Sequence, residues 1–276
     1  MPKAIVNGNS IYYEAYGSGE PLLLIMGLGA STLAWHAQVP TLSRYLRVIA
    51  FDNRGSGRSD RPQDYSMPLF ARDAAGLLRT LGIDSAHVFG VSMGGMIAQQ
   101  LALDYPGAVR SLILGATSPC LAAWPPEQAV QDATARAMDA PPREGFEVML
   151  WTGYSDRYVA EHKEDLWLQF QIELPLMPPV EFWQKQLAAV LEFDARERLK
   201  EISVPTLVIG GADDPVIPRA ACEYLAEHIP GAELVLFPGA RHGFNIEREE
   251  ETNQAVLDFI RRSARASAAS EETSDA

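Results

Sequence analysis

The pentapeptide Gly90-Val91-Ser92-Met93-Gly94 combines residue types and spacing that indicate nucleophilic chemistry. It follows an apolar run and opens a helix-like segment, so Ser92 is expected at a tight strand-to-helix turn. Such a turn strains the serine backbone, and small residues two positions to either side let the strand and the helix approach each other. The first helical N–H groups then point toward charge that develops beside Ser92. The pattern predicts a nucleophilic serine; without this context it would be an ordinary glycine-rich turn.

A serine hydroxyl is a poor nucleophile unless a neighbouring base accepts its proton. His242 is the candidate base, because it lies just after the last apolar strand. Loops at that carboxyl edge of an open α/β sheet converge on one site. Four other histidines precede the last two strands, lie in the irregular middle of the chain, or fall in a helix-like run: His36, His87, His162 and His228. The chain order serine, acid, histidine favours His242 over these four.

A carboxylate is needed to orient the imidazole and to stabilise its protonated form. Asp213 and Asp214 both follow the apolar run Thr206–Ile209 directly. Two adjacent side chains cannot both face one histidine, so the other aspartate is expected to be a turn residue before Pro215. The residues alone leave this choice open.

Short apolar runs alternate with helix-like segments, which is typical of a parallel sheet covered by helices. The predicted strands are Ile11–Tyr13, Leu22–Ile25, Arg47–Phe51, His87–Val91, Ser111–Leu114, Thr206–Ile209 and Glu233–Phe237. The predicted helices include Leu69–Leu81, Met93–Tyr105, Arg219–His228 and Glu249–Ser263. The later strands are almost continuously hydrophobic, as expected for strands that are buried on both faces.

The alternation stops between residues 119 and 197, a segment that holds four of the five tryptophans and eight of the nineteen prolines. Its pattern is helical and amphipathic, and structureless loops of that length are rare. We therefore predict a helical insertion at 119–197 and a core made of residues 1–118 and 198–263. The aromatic residues of the insertion suit either an apolar substrate pocket or the insertion's own core. Residues 264–276 are predicted to form a disordered tail.

The composition excludes several functional classes. The 276 residues include 23 basic and 36 acidic residues, and the net charge of −13 disfavours nucleic acid or an anionic membrane as a partner. No apolar run approaches the roughly 18 residues of a membrane span, and the N-terminus lacks a signal-peptide pattern. Cys120 and Cys222 lie far apart and outside any metal-binding motif, which suits free thiols in a reducing compartment. We expect a cytoplasmic protein; its oligomeric state is left open.

These motifs resemble those of the α/β-hydrolase fold family, in its cap-bearing esterase and lactonase branch, over nearly the whole chain. Residues 52–59 are similar to the family's loop after the fourth strand, and residues 237–243 to its histidine loop. The family carboxylate stands four positions before the proline of an Asp-x-x-Val-Pro run, which selects Asp214. The resemblance implies an α/β fold with a mostly parallel, eight-stranded sheet, helices on both faces and a helical cap.

The resemblance also implies an oxyanion hole. In the family, a backbone N–H in the loop after the third strand acts with the N–H of the residue that follows the nucleophile. Here the loop reads Ile25-Met-Gly-Leu-Gly29, with Met26 where the family usually has histidine. The donor is the N–H after the first glycine, so the implied pair is Leu28 and Met93.

The resulting hypothesis is a serine hydrolase of small carboxylic esters or lactones with an apolar acyl part, which acts through an acyl-enzyme and needs no cofactor or metal. Ser92, Asp214 and His242 would form the catalytic triad. One alternative is a relative that uses the same triad for carbon–carbon bond hydrolysis or for peracid formation. Another is a non-catalytic ligand-binding module that keeps the fold. Serine rather than aspartate at the turn disfavours the dehalogenase and epoxide-hydrolase branches.

Overall fold

The computed structural model describes residues 2–137 and 141–274, with side chains described up to residue 265. It contains one eight-stranded sheet in the order β1-β2-β4-β3-β5-β6-β7-β8. The strands are β1 (Lys3–Val6), β2 (Asn9–Tyr16), β3 (Pro21–Ile25), β4 (Arg47–Phe51), β5 (Ala86–Val91), β6 (Val109–Gly115), β7 (Thr206–Gly211) and β8 (Glu233–Phe237). Pairing is antiparallel at β1–β2 and β2–β4 and parallel across the rest of the sheet. The predicted mostly parallel, eight-stranded sheet is thus confirmed.

Ten α-helices lie in the described residues. They are α1 (Val39–Leu42), α2 (Met67–Thr80), α3 (Met93–Asp104), α4 (Gln128–Ala137), α5 (Pro142–Gly153), α6 (Asp156–Glu173), α7 (Val180–Glu192), α8 (Arg219–His228), α9 (Phe244–Glu247) and α10 (Glu249–Ser274). Short 3-10 helices cover Thr32–Trp35, Pro106–Ala108, Leu174–Leu176 and Arg196–Glu201. In the described chain no helix is long and apolar enough to cross a membrane.

The first strand was not predicted from the sequence. β1 is an edge strand of four residues whose side chains alternate between exposed and buried, so its apolar signal is short and incomplete. It pairs with β2 through a two-residue turn at Asn7 and Gly8, which both have positive φ angles, 51° and 84°. An Asn-Gly pair between two strands is the usual signal for such a hairpin turn. That pair is what could have identified β1.

The core is divided into two layers by the sheet. On one face, strand side chains such as Leu23, Val88 and Val208 pack in a cluster with α2, α3 and α8. On the other face, Leu24 and Phe89 pack in a cluster with Trp35 and α10. Alternate side chains of each central strand therefore enter opposite layers, as expected for strands buried on both faces.

The helices α4 to α7 all lie between β6 and β7, so the chain carries a helical insertion there. Part of it forms a core of its own: Phe146 packs against Trp167 and Phe170, with ring centroids 4.8 Å and 5.5 Å apart. These aromatic residues therefore stabilise the insertion itself. The boundaries 119–197 remain a prediction.

The predicted tail begins inside α10, which continues to Ser274. The segment after residue 263 is rich in alanine, the residue with the highest helix propensity, so its composition is compatible with continued helix. Side chains from residue 266 onward, and residues 275 and 276 entirely, lie outside the described part of the chain.

The loop after β4 is fixed to α2 by a buried ion pair. Arg54 Nε donates to Asp73 Oδ2 at 2.7 Å, and their side chains are only 4% and 1% exposed. Arg54 also donates to the carbonyl oxygen of Asp64, and Asn7 donates to the second oxygen of Asp73. This network holds the loop in one position under the carboxyl edge of the sheet.

We expect Asp73→Ala to lower the free energy of unfolding by about 3 kcal/mol or more, because it leaves a buried guanidinium without its counter-charge. Urea denaturation measures this loss. The matched control is Asp194→Ala, which removes an aspartate–arginine pair that is exposed to solvent and should change stability little. Equal losses in the two variants would contradict the expectation.

Candidate active site

Ser92 lies at the turn between β5 and α3 in a strained backbone conformation, with φ 58° and ψ −123°. Non-glycine residues rarely adopt positive φ, and such strain is found mainly at functional sites. The flanking glycines explain the turn. A Cβ atom added at Gly94 would overlap the carbonyl oxygen of Ile25 at the end of β3, and one at Gly90 would overlap the backbone of Gly94. Only glycine allows the strand, the turn and the neighbouring loop to approach this closely.

His242 and Asp214 are brought together by the loops after β8 and β7. His242 Nδ1 lies 2.7 Å from Asp214 Oδ2, and the Asp214 side chain is 1% exposed while that of His242 is 21% exposed. The other oxygen of Asp214 accepts hydrogen bonds from the backbone N–H groups of Val216 and Ile217, at 2.8 Å and 2.9 Å. The carboxylate is therefore fixed from both sides, and Nε2 is the ring nitrogen of His242 that remains available to a substrate or nucleophile.

Asp213 does not contact the histidine ring. Its side chain is exposed, and its backbone N–H donates to the carbonyl oxygen of Ala240 in the histidine loop. We predicted from the sequence that the aspartate that does not face the histidine would be the turn residue. The structure corrects this point, because Asp214 itself accepts the two turn hydrogen bonds. An aspartate has two carboxylate oxygens, so one residue performs both tasks.

The pKa of His242 reflects two opposing effects. Burial disfavours the charged ring and acts to lower the pKa, but the negative charge of Asp214 and its hydrogen bond raise the pKa above the ordinary histidine value. The net result is a histidine that accepts a proton readily and is stabilised when charged.

The histidine loop is also held by the helical insertion, a contact that was not predicted from the sequence. The backbone N–H of Gly243 donates to the carbonyl oxygen of Gly153 at 2.7 Å. Arg241 Nη1 donates to the carbonyl oxygens of Trp151 and Tyr154, at 2.8 Å and 3.0 Å. Arg241 thereby satisfies carbonyl groups at the end of α5 that have no partner within the helix. These contacts fix the backbone on either side of His242.

The proposed oxyanion donors belong to two segments that adjoin Ser92. Met93 is the first residue of α3, and the loop that contains Leu28 passes so close that a Cβ added at Gly27 would lie 3.0 Å from Ser92 Cβ. Within the described residues, neither the N–H of Leu28 nor that of Met93 donates a hydrogen bond. Two unpaired N–H groups beside a candidate nucleophile are what an oxyanion hole requires.

Buried polar side chains hold this loop, residues 26–32, which we call the oxyanion loop. Asn53 Nδ2 donates to the carbonyl oxygen of Met26 at 2.9 Å, and the buried Asp52 accepts from the N–H of Thr32 at 2.7 Å. Both side chains belong to the loop after β4, so segment 52–59 acts as a scaffold for the oxyanion loop. Met26, at the family's usual histidine position, is held through its backbone.

No hydrogen bond joins Ser92 to His242 in the described structure. Such bonds are often long in ligand-free enzymes and shorten when substrate binds. The other histidines have different partners. His87 is buried and contacts Ser111 Oγ at 2.8 Å, and burial lowers its pKa. His162 packs against the ring of Tyr158, and His228 stacks on the ring of Tyr224.

No set of three His, Cys, Asp or Glu side chains is grouped as a metal site would require, as far as the described residues extend. Cys120 and Cys222 are both free and buried. The site thus offers a strained serine, a histidine paired with a buried carboxylate, and two unpaired N–H groups. These are the components of nucleophilic acyl transfer.

Comparisons with known proteins identify the fold family. The sequence model of a family described as alpha/beta hydrolase fold matches residues 20–249. A relative from Azorhizobium caulinodans named "Putative carbamate hydrolase RutD" is 32% identical, and the match covers 94% of this chain and 98% of the relative. Among solved structures, Est816, described as an N-acyl homoserine lactone degrading enzyme, is 31% identical with a TM-score of 0.83, and the match covers 94% of this chain and 100% of Est816.

A second solved structure is the enol-lactonase from Burkholderia xenovorans LB400. It is 27% identical with a TM-score of 0.83, and the match covers 94% of this chain and 99% of the lactonase. These proteins share both the sheet and the region of the helical insertion, since the matches extend over almost the full length.

The raised pKa of His242 predicts how activity depends on pH. We expect kcat/KM to fall as the pH decreases through one ionisation above the ordinary histidine pKa of about 6.5, because the protonated ring cannot accept the serine proton. Rates measured from about pH 5 to pH 9 test this. A flat profile, with the chemical step shown to limit the rate, would be evidence against His242 as the base.

The contacts of Asp214 predict that two substitutions behave differently. Asp214→Asn keeps an oxygen for the N–H groups of Val216 and Ile217 but removes the negative charge from the histidine, so kcat should fall by about 10⁴-fold at a near-normal melting temperature. Asp214→Ala loses both functions and should also melt lower. Asp213→Asn is the matched control and should retain the wild-type kcat. If Asp213→Asn caused the larger loss, the acid would be Asp213.

Proposed function

This chain belongs to the alpha/beta hydrolase fold family, and we propose that it is a serine hydrolase of carboxylic esters or lactones with an apolar acyl part. The observation that carries the proposal is the 2.7 Å contact between His242 and the buried Asp214, at the same sheet edge as the strained Ser92. A serine at this turn and an oriented histidine are what acyl transfer through a covalent intermediate needs.

In the first half of the proposed reaction, Ser92 Oγ attacks the substrate carbonyl carbon and its proton passes to Nε2 of His242. The negative charge that develops on the carbonyl oxygen is stabilised by the N–H groups of Leu28 and Met93. The carboxylate of Asp214 stabilises the imidazolium and holds its Nδ1–H in place. The intermediate then collapses, the ester carbon–oxygen bond breaks, and His242 returns the proton to the leaving alkoxide.

In the second half, His242 takes a proton from a water molecule that attacks the acyl-enzyme. The acyl carbon is released as a carboxylic acid, and Ser92 recovers its proton from His242. With a linear ester, the alcohol leaves before this step. With a lactone, the alcohol stays attached to the acyl group, so a single hydroxy acid is formed.

Ester and lactone substrates are favoured by the family relatives and by the surroundings of the oxyanion loop. Est816 and the enol-lactonase are described as acting on lactones. Trp183 of α7 lies against Gly29, so an aromatic side chain borders the loop that carries one oxyanion donor. The relative from Azorhizobium is named as a carbamate hydrolase. A carbamate would react through the same steps and would form a carbamoyl-enzyme as the covalent intermediate. Carbon–carbon bond hydrolysis and peracid formation on the same triad remain the alternatives.

A substrate panel tests the proposed class. It contains p-nitrophenyl esters of increasing chain length, an acyl homoserine lactone, a carbamate and a diketone. We expect turnover of esters and lactones, with kcat/KM rising with acyl chain length because an apolar chain leaves water on binding. Efficient cleavage of the diketone with negligible ester turnover would favour the carbon–carbon hydrolase.

Ser92→Ala tests the nucleophile. We expect it to lower kcat by more than about 10³-fold while the protein remains folded, since the hydroxyl forms the acyl-enzyme. Ser66→Ala is the matched control: it removes the hydroxyl that caps α2 and should lower the melting temperature without lowering kcat. A folded Ser92→Ala protein with wild-type turnover would refute the mechanism.

A further inference from the structure

A fully buried glutamine joins the helical insertion to the oxyanion loop. Gln186 lies in α7, and its side chain is completely inaccessible to solvent. Its Oε1 accepts a hydrogen bond from the backbone N–H of Gly29 at 2.9 Å. Its Nε2 donates to the carbonyl oxygen of Arg54 and to Ser56 Oγ, both at 3.0 Å. One side chain therefore contacts the oxyanion loop and the loop after β4 at the same time.

The partners of Gln186 fix the orientation of its amide group. A backbone N–H only donates and a carbonyl oxygen only accepts, so Oε1 must face Gly29 and Nε2 must face Arg54. Both amide hydrogens and one acceptor position are used. Burying an amide costs free energy unless it is paired, and here each end is paired.

Gln186 is a polar residue at a buried position of its helix. It shares the buried face of α7 with Ala189 and Val190, where the helical pattern favours an apolar residue. A leucine or methionine would fill this position but would leave the N–H of Gly29 and the carbonyl oxygen of Arg54 without their partner. Gln186 instead provides an acceptor for the N–H group of Gly29.

That N–H group is directly next to an oxyanion donor. Gly29 follows Leu28, and the peptide unit between them carries the N–H that Gln186 holds. On the other side of Leu28, Asn53 holds the carbonyl oxygen of Met26. The backbone on one side of Leu28 is thus held by Asn53 of the core, and the backbone on the other side is held by Gln186 of the insertion. Since an oxyanion hole works through preorganised donors, the direction of the Leu28 N–H depends on both contacts.

We propose that Gln186 is a positioning residue that orients the oxyanion loop, and that correct docking of α7 is thereby required for an effective oxyanion hole. The inference rests on the proposed serine-hydrolase function. It assigns the helical insertion a direct part in transition-state stabilisation, in addition to any part in enclosing the substrate.

The test compares Gln186→Met with Lys185→Met. Methionine has a similar length but no acceptor for the N–H of Gly29. Lys185→Met removes the neighbouring contact between α7 and the core, in which Lys185 Nζ donates to Gln63 at 3.0 Å, and leaves the oxyanion loop untouched. We expect Gln186→Met to lower kcat on a p-nitrophenyl ester by about tenfold or more, with KM changed little, because removal of one oxyanion donor costs about 10²- to 10³-fold.

Two further measurements separate positioning from general destabilisation. Binding of a trifluoromethyl ketone with the same acyl chain should weaken by the same factor as kcat, since its adduct with serine carries the oxyanion. Hydrogen–deuterium exchange of the peptide covering residues 26–32 should be faster in Gln186→Met and unchanged in Lys185→Met. The exchange measurement needs no substrate, so it tests the positioning even if the proposed function is wrong, whereas Ser92→Ala tests that function by itself.

Gln186→Glu serves as a second variant if the methionine variant does not fold. Its carboxyl group keeps an oxygen for the N–H of Gly29, so kcat should stay within about threefold of wild type although lost donor contacts lower the melting temperature. The proposal would be overturned if a folded Gln186→Met protein had wild-type kcat, if Lys185→Met caused the same loss, or if Gln186→Glu lost as much activity as Gln186→Met.

Discussion

The whole site depends on how closely the β5–α3 turn approaches the end of β3. Space for a Cβ atom is missing at both Gly90 and Gly94, and Ser92 between them is forced to a positive φ angle. This approach places the start of α3 beside the oxyanion loop, so that unpaired N–H groups from two different segments lie next to one hydroxyl. The strain at Ser92 is maintained because β5 is buried over its whole length and is paired with parallel strands on both sides.

The histidine loop and the oxyanion loop are each fixed by polar contacts from two parts of the chain. The histidine loop is held by the loop after β7 through Asp214 and by the insertion through Arg241. The oxyanion loop is held by the loop after β4 through Asn53 and by the insertion through Gln186. Each loop is therefore connected both to the sheet and to the insertion. The insertion is consequently part of the framework that orients the site, and catalysis is expected to be sensitive to residues far from Ser92 in the sequence.

Sequence patterns predicted the features that depend on residues close together in the chain. The strands from β2 to β8 follow from short apolar runs, and Ser92 follows from a motif whose neighbours must all be small. The choice between Asp213 and Asp214 did not follow from the residues alone and needed the family resemblance, because both carboxylates leave the same loop. The contact of Gln186 with Gly29 joins residues 157 positions apart, and two of the contacts between Arg241 and the insertion use backbone carbonyl groups. Neither type of contact leaves a pattern in the sequence, so both required the structure.

Covalent labelling with a fluorophosphonate, followed by peptide mapping, tests whether Ser92 is an activated nucleophile. The phosphorus forms a bond to the nucleophilic oxygen and fluoride leaves, so only a serine activated by a base reacts readily. We expect one adduct per chain, located on Ser92, with a labelling rate that decreases at low pH as His242 becomes protonated. An adduct on another residue, or no adduct on the folded protein at neutral pH, would contradict it.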